Sequence, residues 1–172
     1  MNVDRALDPG PVLRQAGPRD IPEIMAMMTD FHSEDRIPWR ASDAQRAISE
    51  LLANDAYGIF WLIEVGGLSI GFLVLTFGFS LEFHGRDAFV DEFYIRPEFR
   101  GQGIGARVLH QMVGYCGCHC IRTVHLEVEH RVRRLYERAG FEDRGFYILS
   151  KWIRISSQDQ GLTISGQGER GS

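Results

Sequence analysis

The segment Arg100-Gly101-Gln102-Gly103-Ile104-Gly105 constrains this chain more than any other. It lies between a run with strand character, Ala88 to Ile95, and a run with helix character, Ala106 to Tyr115, so its glycines leave backbone N–H groups uncovered where a helix starts. Bare amides at the positive end of a helix dipole bind phosphate, and a pyrophosphate fits there. Nucleotides, dinucleotides and coenzyme A all use such loops, so the surrounding residues have to decide among them.

Two of those choices sit badly with the rest of the chain. Gly101-x-Gly103-x-x-Ala106 satisfies the dinucleotide fingerprint, and Glu127 stands about as far downstream as a ribose-binding carboxylate would. In that fold the glycine follows its strand at once, whereas Arg96-Pro97-Glu98-Phe99-Arg100 intervenes, and too few residues follow Val128 for further parallel βαβ units. A P-loop needs a Lys-Ser/Thr pair after its glycines, and none follows here.

The chain has 172 residues, enough for one domain with a real core. Its formal net charge of −4 gives no basic field for a phosphate polymer, which argues against nucleic acid and suits cationic small molecules. Met1 to Gly10 lacks an apolar core, and the longest apolar stretch, Leu68 to Phe79, is too short to span a bilayer; the expectation is a cytoplasmic protein without a membrane partner. Cys116, Cys118 and Cys120 are an odd set, expected as reduced thiols at a helix end. With His119 they invite a metal reading, but zinc sites use C-x₂-C pairs and a second ligand cluster, so no metal is expected.

Along the chain, Val12 to Gln15 reads as a short strand, and Asp20 as the cap of a helix carrying Ile21, Ile24, Met25 and Met28 at helical spacing. Ser42 and Gln45 have the form of a capping box opening a second helix through Leu52. Phe31 to Arg40 reads as a long connection between the two, either floppy or substrate-shaping. Tyr57 to Val65 and Leu68 to Thr76 flank the hairpin signal Gly66-Gly67, with the second run continuing irregularly to Phe83. Arg86 to Ile95 follows as a strand; after the glycine loop and its helix come a strand at Thr123 to Val128, a helix at Val132 to Ala139 and a last strand at Phe146 to Ile153. The expected order is βαα-βββ-αβ-αβ, an α/β (α+β) fold over residues 12–155, between an N-terminal extension, 1–11, and a disordered Gly/Ser/Gln-rich tail, 156–172.

Arg100, Gly103 and Gly105 in the pattern Arg-x-x-Gly-x-Gly, preceded by Asp91-Glu92-Phe93-Tyr94-Ile95-Arg96-Pro97 and followed by Leu135-Tyr136-Glu137-Arg138-Ala139-Gly140-Phe141, resemble the GNAT N-acetyltransferase superfamily. The likeness covers roughly Val12 to Ile153 and rests on two motifs in the right order and spacing. It implies a mixed sheet whose middle strands splay apart to admit acetyl-CoA as acyl donor. Main-chain groups of Phe93, Tyr94 and Ile95 would then pair with the pantetheine, and Arg100, Gly101, Gln102, Gly103, Ile104, Gly105 and Ala106 would hold the pyrophosphate.

The same resemblance implies transfer to a primary amine by direct attack in a ternary complex. An alkyl ammonium with a pKa of about 10.4 must lose a proton first, and family members often place the base on the strand that holds Asp91 and Glu92. Adjacent residues of a regular strand face opposite sides, so one of the two is the base, Glu92 before Asp91. Tyr136 matches the tyrosine that commonly protonates the departing thiolate; His125 and His130 are reserves for the base. Gly78 to Asp87 resembles the corresponding stretch of polyamine and thialysine acetyltransferases, which offers Glu82 and Asp87, with Asp91 and Glu92, as contacts to a small cationic amine. Members also often pair as homodimers.

One departure stands out. Related sequences usually carry an asparagine ahead of the Leu-Tyr helix, whereas Glu127 to Arg134 contains none and the connection is about three residues short. The pantetheine contact then falls to Arg131 or Arg133, and whether Tyr136 faces the sulfur depends on helical phase. A chain whose acid pointed away would bind acyl-CoA without turning it over, so a non-catalytic binding module is the alternative from another class; a protein lysine or N-terminal amine is the alternative acceptor.

Overall fold

Strands β2 (Gly58–Val65) and β3 (Leu68–Ser80) are apolar on both faces because helices cover both sides of the sheet they centre. Their hairpin turns through Gly66 and Gly67, with φ of 59° and 82°, the left-handed pair that a two-residue connection requires. Before them come β1 (Val12–Gln15), a 3₁₀ turn at Pro18–Asp20, α1 (Ile21–Asp35) and α2 (Ala41–Ala53). After them come β4 (Gly85–Ile95), α3 (Ile104–Cys118), β5 (Thr123–Leu126) and α4 (Arg133–Arg138). The computed structural model describes residues 10–35, 39–128, 130–145 and 148–151.

The sheet runs β1-β2-β3-β4-β5, antiparallel throughout except for the parallel β4–β5 pair that α3 connects. On one face α1 and α2 bury Ile24, Met27, Met28 and Ile48 against Phe60, Leu62, Phe72 and Val74. On the other, α3 buries Val108, Leu109, Met112 and Cys116 against Ile59, Trp61, Leu73, Leu75, Ala88 and Val90. Each such side chain taken from water stabilises the fold by about 1.5–3 kcal/mol, so two covered faces anchor the sheet whose far edge carries the site.

Most expected elements stand within one or two residues of their predicted limits. The Ser42–Gln45 box does not: α2 starts at Ala41, with Arg40 as its N-cap and no side-chain cap. Asp20 caps backward, accepting from the Gly17 N–H at 2.8 Å while Arg14 holds both its oxygens at 3.0 Å. α1 continues to Asp35, so Phe31 to Asp35 is helix, not connection. β5 ends at Leu126, two residues early.

The chain divides into two units, residues 1–142 and 143–172. All helices and strands among the described residues lie in the first. In the second, the Gly145 N–H donates to Asp143 Oδ1 at 2.8 Å. The predicted strand from Phe146 to Ile153 is not one over 148–151, its described part. Strand propensity is local, and a strand is realised only where a partner supplies the ladder. The predicted tail, and all of the N-terminal extension but Gly10 and Pro11, lie outside the described residues.

Candidate active site

A bulge at Asp91 builds the site. On β3, Leu75 pairs with Val90 and the adjacent Val74 pairs with Glu92, which leaves Asp91 as an extra residue. An extra residue reverses the alternation of side chains beyond it. Ala88 and Val90 accordingly pack on the α3 face, whereas Glu92 and Tyr94 turn to the face of α1, and Phe93 and Ile95 take over the α3 side. The strand therefore presents Glu92 to the α1 face, where a regular pleat would have presented Asp91.

Just past the bulge the sheet opens. β5 pairs with β4 only from Asp87↔Thr123 to Val90↔Leu126, and β4 continues to Ile95 with no strand beside it on that side among the described residues. The resulting cleft has a volume of about 520 Å³. Asp91 to Ile95 form one wall, while Glu127, Val128, Arg131, Leu135 and Tyr136 form the other, and Phe31, Glu34 and Arg100 close one end.

Glu92 is the most perturbed carboxyl there. Burial, and then the neighbouring charge of Asp91, raise its pKa from 4.5 to about 8. Its Oε2 is buried without a hydrogen-bond partner, and Oε1 lies 3.4 Å from His32 Nε2 on α1. Asp91 keeps contact with solvent, yet its position within the cleft, followed by the charge of Glu127, also raises its pKa. Perturbed carboxyls in one cleft are what proton-transfer sites have in common with some structural charge networks.

Tyr136 comes from α4 and lines the same cleft, packed edge-on to Phe141 at 5.8 Å. Burial pushes its hydroxyl up to about 12, so it holds its proton across the neutral range. The short connection does not turn this tyrosine away. At the other end of the site, Gly103 is the N-cap of α3 with φ of 76°, a left-handed conformation that glycine adopts without strain. Helical geometry leaves the N–H groups of Ile104, Gly105 and Ala106 without partners inside α3. Arg100 is folded back: Nε donates to the Ile95 carbonyl at 2.6 Å, Nη2 meets Glu34 at 2.8 Å, and the guanidinium lies over the Tyr94 ring.

Not every candidate converges. Glu82 is exposed in the β3–β4 turn, and Asp87 sits where β4 and β5 are still paired, 3.7 Å from His125; neither lines the cleft. Arg131 lines it, whereas Arg133 pairs with Glu137 at 2.7 Å. Cys116 is buried under α3, with Cys118 and Cys120 exposed. Sequence reasoning missed His32. The signal was present: Ile24, Met28 and His32 fall four apart on one helix face, so a histidine continues the buried stripe of α1.

The profile of the acetyltransferase (GNAT) family matches residues 24–141. The chain belongs to that family. It is an acetyl-CoA-dependent N-acetyltransferase. Among its relatives is the thialysine N-epsilon-acetyltransferase of Bos taurus, 24% identical over 147 residues, which cover 77% of this chain and 84% of the relative. An integron cassette protein from the mobile metagenome of Cole Harbour salt marsh is 35% identical with a TM-score of 0.76, over 84% of this chain and 91% of that one. A predicted acetyltransferase of Clostridium acetobutylicum, solved with acetyl-CoA, shares the fold at 20% identity and a TM-score of 0.66, over 88% of this chain and 99% of that one.

The residues present suit acetyl-CoA. β4 offers an uncovered main-chain edge at Phe93 and Tyr94 to an extended polar chain, and the helix start after Gly103 offers amides to a diphosphate.

Proposed function

We propose that the acceptor is a small cationic primary amine, with Glu92 as base and Tyr136 as acid. The observation that carries this is the cleft itself: Glu34, Asp91, Glu92 and Glu127 all line it, and Glu92 keeps a buried oxygen without a donor. An ammonium supplies both the charge and the N–H that such a wall lacks. The thialysine N-epsilon-acetyltransferase activity of the bovine relative supports the same chemical class.

When bound, acetyl-CoA supplies the acetyl group and a thiol leaving group. Glu92 holds the proton drawn from the ammonium, which requires its carboxylate form and so a rate that rises with pH towards about 8. Asp91 and Glu127 hold the cation at the open side. A main-chain N–H of β4 beyond the bulge, left without a strand partner on the β5 side, would donate to the carbonyl oxygen on which charge develops. Tyr136 holds a proton at its hydroxyl for the leaving sulfur, and Leu135 and Val132 limit water around it.

Thiol release from acetyl-CoA, followed over a panel of mono-, di- and polyamines beside lysine-containing peptides, tests this reading. Small di- and polyamines are expected to give the highest kcat/KM, and a preference for peptides would sink it. Tyr136→Phe is expected to lower kcat by about 10²- to 10³-fold with acetyl-CoA binding intact.

A further inference from the structure

His32 is an unusual occupant of its position. It is 9% exposed, on a helix face otherwise given to Ile24 and Met28. Its ring stacks on Trp39 at 4.4 Å and 21°, and Phe31 meets it edge-on at 5.1 Å, so two aromatic neighbours restrain the imidazole. The restraint leaves Nε2 at ion-pair distance, 3.4 Å, from Glu92 Oε1, and the bulge at Asp91 is what turns Glu92 towards it. Packing alone would be met by leucine or methionine at lower cost, since a buried polar ring must have its nitrogens compensated.

Proton stoichiometry gives this pair a task. Converting an alkyl ammonium to an amide removes two protons from nitrogen, and only one of them leaves on the donor's thiol. A single carboxylate stores one proton at a time. We propose that His32 acts through Glu92 as a positioning and proton-holding residue, its Nε2 receiving the proton that Glu92 has taken from the acceptor.

This rests on Glu92 being the base. In the first transfer an N–H bond of the ammonium breaks, its electron pair stays on nitrogen, and an O–H bond forms on Glu92. In the second that O–H bond breaks, N–H forms at His32 Nε2, and Glu92 returns to carboxylate beside an imidazolium. Glu92 is then ready for the second proton, and the imidazolium later loses its own to water. Asp91 on the same strand acts directly on Glu92; the other charged groups of the cleft are Glu34 on α1, Arg100, which Glu34 holds, and Glu127 and Arg131 on the far wall, while Asp30 acts on the neighbouring Tyr94. From α2 and β3 the packing is apolar, through Ile48, Leu52, Phe72 and Val74. Imidazole is the side chain that exchanges a proton near neutrality, which no aliphatic replacement on this face can do.

The test uses the full chain. Ring-nitrogen NMR of His32 in the acetyl-CoA-free protein is expected to show a titration that moves in Glu92→Gln; an unmoved titration overturns the pairing even if variants fold poorly. In pH profiles of kcat/KM for the amine, His32→Gln is expected to lower the rate about tenfold at pH 7, to shift the rising limb upward by about one pH unit, and to leave the acetyl-CoA dissociation constant unchanged. His32→Ala is expected to recover several-fold with added imidazole. A loss equal at every pH, or no loss, overturns the inference. If Glu92→Gln retains the wild-type rate, the base assignment itself fails; if that variant is inactive while His32→Gln keeps the wild-type profile, only the role of His32 fails.

Discussion

Strand β4 has two halves with opposite duties. From Asp87 to Val90 it is closed on both sides, paired with β3 and with Thr123–Leu126 of β5, and Ala88 and Val90 are buried under α3. From Asp91 to Ile95 it keeps β3 but loses β5, and its side chains line a cleft of about 520 Å³ with two raised carboxyl pKa values. Four residues of parallel pairing hold the strand; one extra residue then changes which way its carboxylate points. A transfer site needs the first half as much as the second, because main-chain groups and a base are useful only if they are held in place before the ligands arrive.

The most damaging way to break this contrast is to insert one alanine between Asp91 and Glu92. With the bulge at Asp91 in place, one further residue would send Glu92 towards the apolar α3 face and Phe93 towards α1. Acetyl transfer is expected to fall at least about 10³-fold, close to background, while circular dichroism still reports a mixed sheet. Retention of activity would mean that transfer does not need Glu92 on the α1 face.

Glu92→Gln sharpens the same contrast through stability. The ordinary pKa of 4.5 is raised to about 8 in the folded chain, so between those values the folded state binds more protons than the unfolded one. The resulting stabilisation is complete at acid pH and is lost as pH rises through about 8. Glutamine carries no such dependence. The unfolding free energy of the variant, read from thermal melts, should match the wild type near pH 4.5 and exceed it near pH 8.5, by roughly 1–3 kcal/mol once the partial compensation from His32 is allowed for. Activity should fall by about two orders of magnitude in the same variant, which would make the open half a place where function is kept at a cost in stability. A temperature gap that stayed constant with pH would show that the carboxyl is not buried as described.

The closed half was legible in the sequence and the open half only partly. The two β-rich apolar runs, the Gly66-Gly67 turn and the glycine loop each encode their structure locally, and all three stand where the sequence predicts them. The two sequence motifs also brought Asp91, Glu92, Phe93 to Ile95 and Tyr136 to one cleft. The bulge itself leaves no composition signal, because it depends on how β3 and β4 are paired, so which face Glu92 takes could not be read from its own segment. His32 was hidden for a related reason: the helix was expected to end before it, and a buried histidine is recognisable only once the stripe of Ile24 and Met28 is carried one turn further. Glu82 and Asp87 were close in sequence to the site and yet stand outside the cleft, since four residues along a strand are about 13 Å.

The smallest expected effect tests the end of the cleft where donor and helix α1 meet. Arg100, read from the sequence as a pyrophosphate contact, is here engaged by Glu34 at 2.8 Å, and Tyr94 also donates to Glu34 at 3.1 Å. A carboxylate on the guanidinium competes with any phosphate for the same N–H groups. The Arg100–Glu34 pair is substantially exposed, and exposed pairs contribute only about 0–1 kcal/mol, so the competition is weak. Glu34→Gln is therefore expected to tighten acetyl-CoA binding by no more than about fivefold at low salt, measured by calorimetry, with the gain disappearing as ionic strength rises. Unchanged or weaker binding would mean that Arg100 stays on α1 when the donor is present, leaving the amides after Gly103 to hold the diphosphate without it.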